Sequence, residues 1–242
     1  MEHSGRLKRF EDPNDDFPFY DGRPAAIAGR GWALLAGAVV AAFLVLYLAP
    51  FPTLLNQVVT VALPLAALAY VAPGNLGALF RRVRGRDLAL MVGFALLNFA
   101  VSLTVASVVS LVFGANANAV TAQLTQQTGS GLALFFLGTG VQLLGEELFT
   151  VLPFLAVAYI FYSRAGFSRG GSVVIAWLLS ALLFGLLHLP AYDWNLVQCV
   201  VVIGSARLVL TLAYIKTKNL WVSYGAHLIN DFSVFVSIVL FS

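Results

Sequence analysis

The sequence predicts an all-α polytopic membrane protein with about seven transmembrane helices, its N-terminus inside and its C-terminus outside. Three observations lead there. First, 60% of the 242 residues are hydrophobic and 10% are charged, against about 25% charged in a soluble domain; mean hydropathy is +0.89. Second, the apolar residues gather into runs long enough to cross a bilayer, which takes about 20 residues each. Third, the cations sit in alternate connections. With the N-terminus inside, the inner segments 1–31, 73–87, 163–171 and 216–219 carry 5, 4, 2 and 2 Lys and Arg, while the outer segments 50–53, 114–131, 190–195 and the C-terminus carry none. That is the positive-inside distribution. The net charge of +3 therefore reflects orientation, and nucleic acid is not an expected partner.

Residues 1–31 mix charge, Pro and Gly without helical periodicity. They are expected to form a flexible cytoplasmic tail, interfacial around Phe17, Phe19 and Tyr20. The first apolar run is not followed by an A-x-A-like cleavage site, so no cleaved signal peptide is expected. The spans then run Trp32–Ala49, ended by Pro50-Phe51-Pro52, and Leu54–Val71, ended by Pro73-Gly74. The third, Leu88–Phe113, follows the basic cluster R-R-V-R-G-R at 81–86. An uncharged loop, 114–131, leads into a long fourth run, Leu132–Tyr162, and the last three spans are Ser172–Leu189, Leu196–Ile215 and Leu220–Phe241. The single Cys199 lies inside an apolar run, so no intrachain disulfide forms. No internal repeat of the kind that marks many transporters is visible. Within the membrane domain 32–242, residues 32–113 read as accessory spans and 130–241 as the functional core.

The reason is where the polar residues lie. Spans four to seven contain Glu146, Glu147, His188, Arg207, His227, Asn230 and Asp231. Spans one to three offer only weakly polar groups such as Asn56, Gln57, Asn98 and Ser102. An ionisable group at the bilayer centre costs roughly 2.5–3.5 kcal/mol on insertion scales, so it implies a function and a partner. On span four, Thr139, Gln142, Glu146 and Thr150 share one helix face, and Glu147 is turned about 100° away from it. The two carboxylates need not do the same job. His227, Asn230 and Asp231 project together on span seven, and Phe184 stacks one turn before His188 on span five. A lone histidine near a span end is usually an interfacial or hydrogen-bonded residue. Several costly groups on different spans are better explained by one shared internal site.

These residues resemble the CPBP family of CAAX proteases and bacteriocin-processing or immunity membrane proteins, whose pattern is E-E-x-x-x-R, F-x-x-x-H and H-x-x-x-N/D. Here the three parts are Glu146-Glu147-Leu148-Phe149-Thr150-Val151, Phe184 to His188, and His227 to Asp231, and the resemblance covers about 130–235. One position departs: Val151 stands where the family has Arg. Arg207, about 15 Å along span six, is the only basic residue near mid-membrane and is the expected counter-charge for Glu147.

The resemblance implies an intramembrane endopeptidase in a bacterial cell membrane, acting on a membrane-embedded or lipid-associated peptide or protein. In that role Glu146 activates a water and then protonates the leaving amine. His188 holds the water, and His227 with Asp231, or Asn230 in its stead, stabilises the oxyanion. The cofactor expectation is none, with a zinc ion on Glu146, His188 and His227 as the alternative; Asp231 would then be a further ligand or orient one. Two other readings follow from the same residues: an inactive relative serving as scaffold or immunity factor, made credible by Val151, and a proton-coupled transporter. Path length along the helices poses a geometric question. His188 lies about 24 Å and His227 about 10 Å from the inner ends of their spans, so they meet only if the spans tilt, break or start at different depths.

Overall fold

The computed structural model describes residues 7, 10–12 and 15–241. Eight α-helices follow in order: α1 Gly29–Leu48, α2 Thr53–Val71, α3 Gly85–Phe113, α4 Ala119–Leu124, α5 Ser130–Tyr159, α6 Arg169–Leu187, α7 Gly204–Thr217 and α8 Leu220–Phe241. A π-helical turn, Ile160–Arg164, prolongs α5, and another, Gln198–Ile203, leads into α7. Short 3-10 turns lie at Leu76–Ala78 and Leu189–Tyr192. Among the described residues there is no strand, and seven helices are long and apolar enough to cross a membrane. The protein is an integral membrane protein, and the expected spans agree with the observed ones to within a few residues. The helix the sequence did not anticipate is α4, one and a half turns inside the uncharged 114–131 loop, started by Asn118, whose side chain accepts from Val120 N at 2.8 Å.

Helices α5 and α7 are the most buried spans. The former packs against α1, α2, α6 and α8, the latter against α3, α6 and α8. Lipid-like packing supplies no hydrophobic drive between helices, so close approach matters, and glycine provides it on α5. A Cβ at Gly145 would meet the Thr60 Cβ at 2.8 Å and its carbonyl carbon at 3.3 Å; one at Gly138 would run into the Gln57 amide. Together these two glycines, one heptad apart, draw α2 onto the polar face of α5. Gly185 does the same for α6, since a Cβ there would strike the Cys199 carbonyl in the π-helical turn before α7.

The described part of the N-terminal segment is not a free tail. Phe17, Phe19 and Tyr20 are buried within the protein instead of lying at an interface. Phe17 packs on Phe154 of α5 and Tyr214 of α7, with ring centroids 5.2 and 5.9 Å away, and Tyr20 packs on Tyr162. Ion pairs fix the same strand of chain. Arg169, at the start of α6, binds Glu11 through both terminal nitrogens at 2.8 and 2.6 Å and Asp16 at 2.6 Å. Lys218 adds a contact to Glu11 at 3.0 Å. The sequence signal read as disorder, alternating charge and aromatics with Pro, here makes a cap whose charges find partners on three helices. Residues 1–6, 8–9 and 13–14 of the expected tail lie outside the described residues.

That cap explains how the histidines meet. The α7–α8 turn is buried, with Lys218, Asn219 and Leu220 at 0, 3 and 0% exposure. Its polar backbone is satisfied by protein: Leu220 N donates to Leu79 O at 2.9 Å, and the Asn219 side chain bonds both backbone groups of Arg81 at 3.1 and 3.2 Å. Asn219 also caps α8, accepting from Trp221 N at 3.2 Å. Helix α8 therefore begins inside the bundle, beneath the N-terminal segment. From Arg164, which ends the turn prolonging α5, and from Arg169, which starts α6, it is about 27 and 28 Å along the helix to Glu146 and His188, against about 10 Å from Leu220 to His227. A different starting depth resolves the mismatch.

Candidate active site

His188 is placed by the way α6 ends. Pro190 has no N–H and cannot continue an α-helical ladder. The His188 N–H accordingly bonds Gly185 O at 3.1 Å in a 3-10 turn, which releases the Phe184 carbonyl. The imidazole fills that role, Nδ1 lying 2.8 Å from Phe184 O. A carbonyl only accepts, so Nδ1 carries the proton and Nε2 is the free nitrogen. Phe184 stacks beside the ring at 4.4 Å, as its spacing implied.

His227 is anchored the same way by a different partner. Its Nδ1 donates to Glu147 Oε1 at 2.9 Å, again turning Nε2 to the interior. Glu147 in turn lies across the fork of Arg207, with Nη1–Oε1 at 2.7 Å and Nη2–Oε2 at 2.9 Å, both side chains at 0% exposure. Arg207 is itself held by Thr211 Oγ1, accepting from Nε at 3.2 Å, and by the Phe184 ring at 4.9 Å. The Trp177 indole N–H donates to Leu208 O at 2.9 Å and fixes α6 against this part of α7. A guanidinium from α7 thus neutralises Glu147, the pairing expected of Arg207. Val151 is buried among apolar neighbours.

Glu146 faces elsewhere. Its Oε2 is 3.9 Å from His188 Nε2 and 3.9 Å from His227 Nε2. Its Oε1 accepts from Gln142 Nε2 at 3.0 Å, and the Gln142 carbonyl oxygen receives Gln57 Nε2 of α2 at 3.4 Å. Asp231 Oδ2 stands 3.7 Å from His227 Nε2, while Asn230 turns its amide to Asp231 Oδ1 at 2.9 Å. A cavity of about 20 Å³ opens beside Glu146 and His188, walled by Phe43, Tyr47 and Phe149 among others. One water needs roughly 10–15 Å³ measured this way, so the space takes about one.

All the candidate residues are thus drawn into one constellation: Glu146 and His188 line the opening, His227 lies 3.9 Å from Glu146 with Asp231 beside it, Glu147 and Arg207 stand behind His227, and Asn230 behind Asp231. Sequence reading missed the contribution of the first two spans. Gln57 and Thr60, buried polar residues three apart with Asn56 beside them in a span otherwise built mostly of apolar residues, were the available signal. Nothing in the pattern of α1 announced Tyr47.

A tetrahedral zinc ion with bonds of about 2.0–2.1 Å sets its ligand atoms about 3.3 Å apart. The two N···O separations here are 3.9 Å, and among the described residues no three His, Cys, Asp or Glu are arranged to hold a metal. As placed, these donors do not fit the ion.

Seven membrane-length helices around an internal carboxylate–histidine cluster define a polytopic membrane protein with a buried polar site. Residues 127–233 match the family described as Rce1-like, type II CAAX prenyl endopeptidase; no curated protein and no solved structure matches the chain. The match spans all three motifs and agrees with the resemblance that the sequence pattern suggested.

Proposed function

We propose that the protein is an intramembrane endopeptidase that hydrolyses peptide bonds of membrane-embedded or lipid-associated peptides with a Glu146-activated water. The reading rests on one observation above all: Glu146 and His188, with Oε2 and Nε2 3.9 Å apart, line a space that takes about one water. In this mechanism Glu146 accepts a proton from the water as its oxygen attacks the scissile carbonyl carbon. His188 Nε2 orients the water through its other O–H. The carbonyl π electrons move to oxygen, and that oxyanion is met by His227, which as imidazolium donates from Nε2. The protonated Glu146 then delivers its proton to the leaving nitrogen, the C–N bond breaks, and carboxyl and amine products separate. Glu147 and Arg207 take no proton in this scheme. Glu147, fixed by Arg207, accepts from His227 Nδ1–H, leaving Nε2 aimed at the reacting centre.

The test is cleavage of a membrane-embedded reporter peptide by purified protein in lipid. Glu146→Gln and His188→Ala are expected to lower kcat by about 10²–10⁴ while remaining folded. Chelation is expected to leave the rate unchanged. A folded protein that cleaves no such peptide, or a Glu146→Gln variant that cleaves normally, overturns the proposal; rate loss on chelation with a stoichiometric metal in the protein overturns its metal-free form.

A further inference from the structure

At the end of the bundle where α3 begins and α7 stops lies a second cavity, of about 210 Å³, unconnected with the chemistry above. It exceeds the roughly 10–15 Å³ of a single water more than tenfold. Five cations line it: Arg81, Arg82, Arg84, Arg86 and Lys216. Three carboxylates also line it, and each is engaged. Asp12 pairs with Arg86 at 3.2 Å, Asp15 with Arg81, and Asp87 Oδ2 accepts the Arg84 backbone N–H at 2.8 Å, capping α3. Among the described residues Arg82, Arg84 and Lys216 make no ion pair. The cavity is thus a polar basin with three cationic side chains left for a ligand.

Its depth says which ligand. Arg82 and Arg84 immediately precede the membrane span of α3, Lys216 lies in the last turn of α7, and Leu90, one helical turn into α3, forms an apolar part of the wall. A water-soluble anion has no use for an apolar wall at the start of a span; a phospholipid has its phosphate at this level and its acyl chains beyond it. We infer that this cavity binds the headgroup phosphate of an anionic phospholipid, held by Arg82, Arg84 and Lys216. The bound phosphate would join α3 to α7, and through Asp12 and Asp15 it would abut the N-terminal cap.

The probe is phosphatidylglycerol against phosphatidylcholine of the same acyl chains, offered to the full chain in detergent and read as lipid retained in native mass spectrometry. Phosphatidylglycerol is expected to be retained at least fivefold over phosphatidylcholine. The triple change Arg82→Gln, Arg84→Gln, Lys216→Gln is expected to erase that preference. Arg164→Gln, which removes an exposed cation at the end of α5 outside the cavity, should leave it intact. Should the triple variant unfold, Arg82→Gln alone is expected to reduce the preference two- to threefold. The inference is overturned if the triple variant, or Arg82→Gln in its place, keeps the full preference, or if Arg164→Gln reduces it as much as the cavity changes do. It is also overturned if glycerol 1-phosphate displaces phosphatidylglycerol at millimolar concentration, which would assign the cavity to a soluble phosphate.

Discussion

Glu146 and Glu147 are adjacent in sequence and opposite in circumstance. Glu147 has no exposure and is spoken for on both oxygens; Glu146 borders an opening and keeps one oxygen toward two imidazoles. A buried ion pair is costly to break from one side, because the remaining charge is stranded. Arg207→Met is therefore expected to destabilise by about 3–5 kcal/mol, and pairing it with Glu147→Gln should recover much of that loss. Thermal unfolding of the four proteins in one detergent checks both statements. The Gln57–Gln142 relay behind Glu146 carries a milder expectation. Gln57→Leu removes one hydrogen bond of about 1.4 kcal/mol and should slow cleavage about tenfold with little change in thermal midpoint; an unchanged rate would show that α2 does not orient Glu146.

Between elements, distance of approach is what the glycines control. Gly145→Val forces α2 off α5 at Thr60 and is expected to cost about 1–3 kcal/mol, lowering thermal stability and the cleavage rate together. Gly93→Ala is the control, since nothing lies within 4 Å of a Cβ there on α3, and removing a helical glycine should stabilise by up to about 1 kcal/mol. The spans themselves were legible because hydropathy over about 20 residues is a strong signal. Helix ends set by local chemistry were legible too: Pro190 marked the stop of α6. Depth was not. That α8 starts inside the bundle depends on Asn219 meeting the Arg81 backbone, a contact between residues 138 apart in the chain.

On the scale of the whole molecule, the N-terminal cap links α5, α6 and α7. Burial would push the Glu11 carboxyl up, but hydrogen bonds from Arg169 and Leu7 N–H and the charge of Lys218 outweigh it and hold the group at about 2. Because the folded value lies below the unfolded one, its stabilisation is present above the ordinary carboxylate range and is lost as pH falls toward 2. Hydrogen exchange of residues 15–22 is expected to quicken between about pH 4.5 and 2, and Glu11→Gln should quicken it already at neutral pH. If exchange stays slow in both cases, apolar packing of Phe17 and Tyr20 alone secures the cap. Orientation can be checked apart from the fold: the distribution of Lys and Arg predicts that a reporter fused at the N-terminus faces the cytoplasm and one at the C-terminus does not.

The sequence by itself determined the class of protein and the seven spans, and it singled out the intramembrane polar residues that the structure gathers into one cluster, because intramembrane charge is expensive enough to be informative wherever it occurs. It also pointed to Arg207 as counter-charge, since no other cation lies at that depth. Tertiary structure alone decided which nitrogen each histidine presents, and that Gln57 and Tyr47 come from outside the polar half. It also turned the described part of the supposed tail into a buried cap. Those outcomes depend on how deep each helix sits and on contacts made across the bundle. Periodicity within a single span carries no record of either.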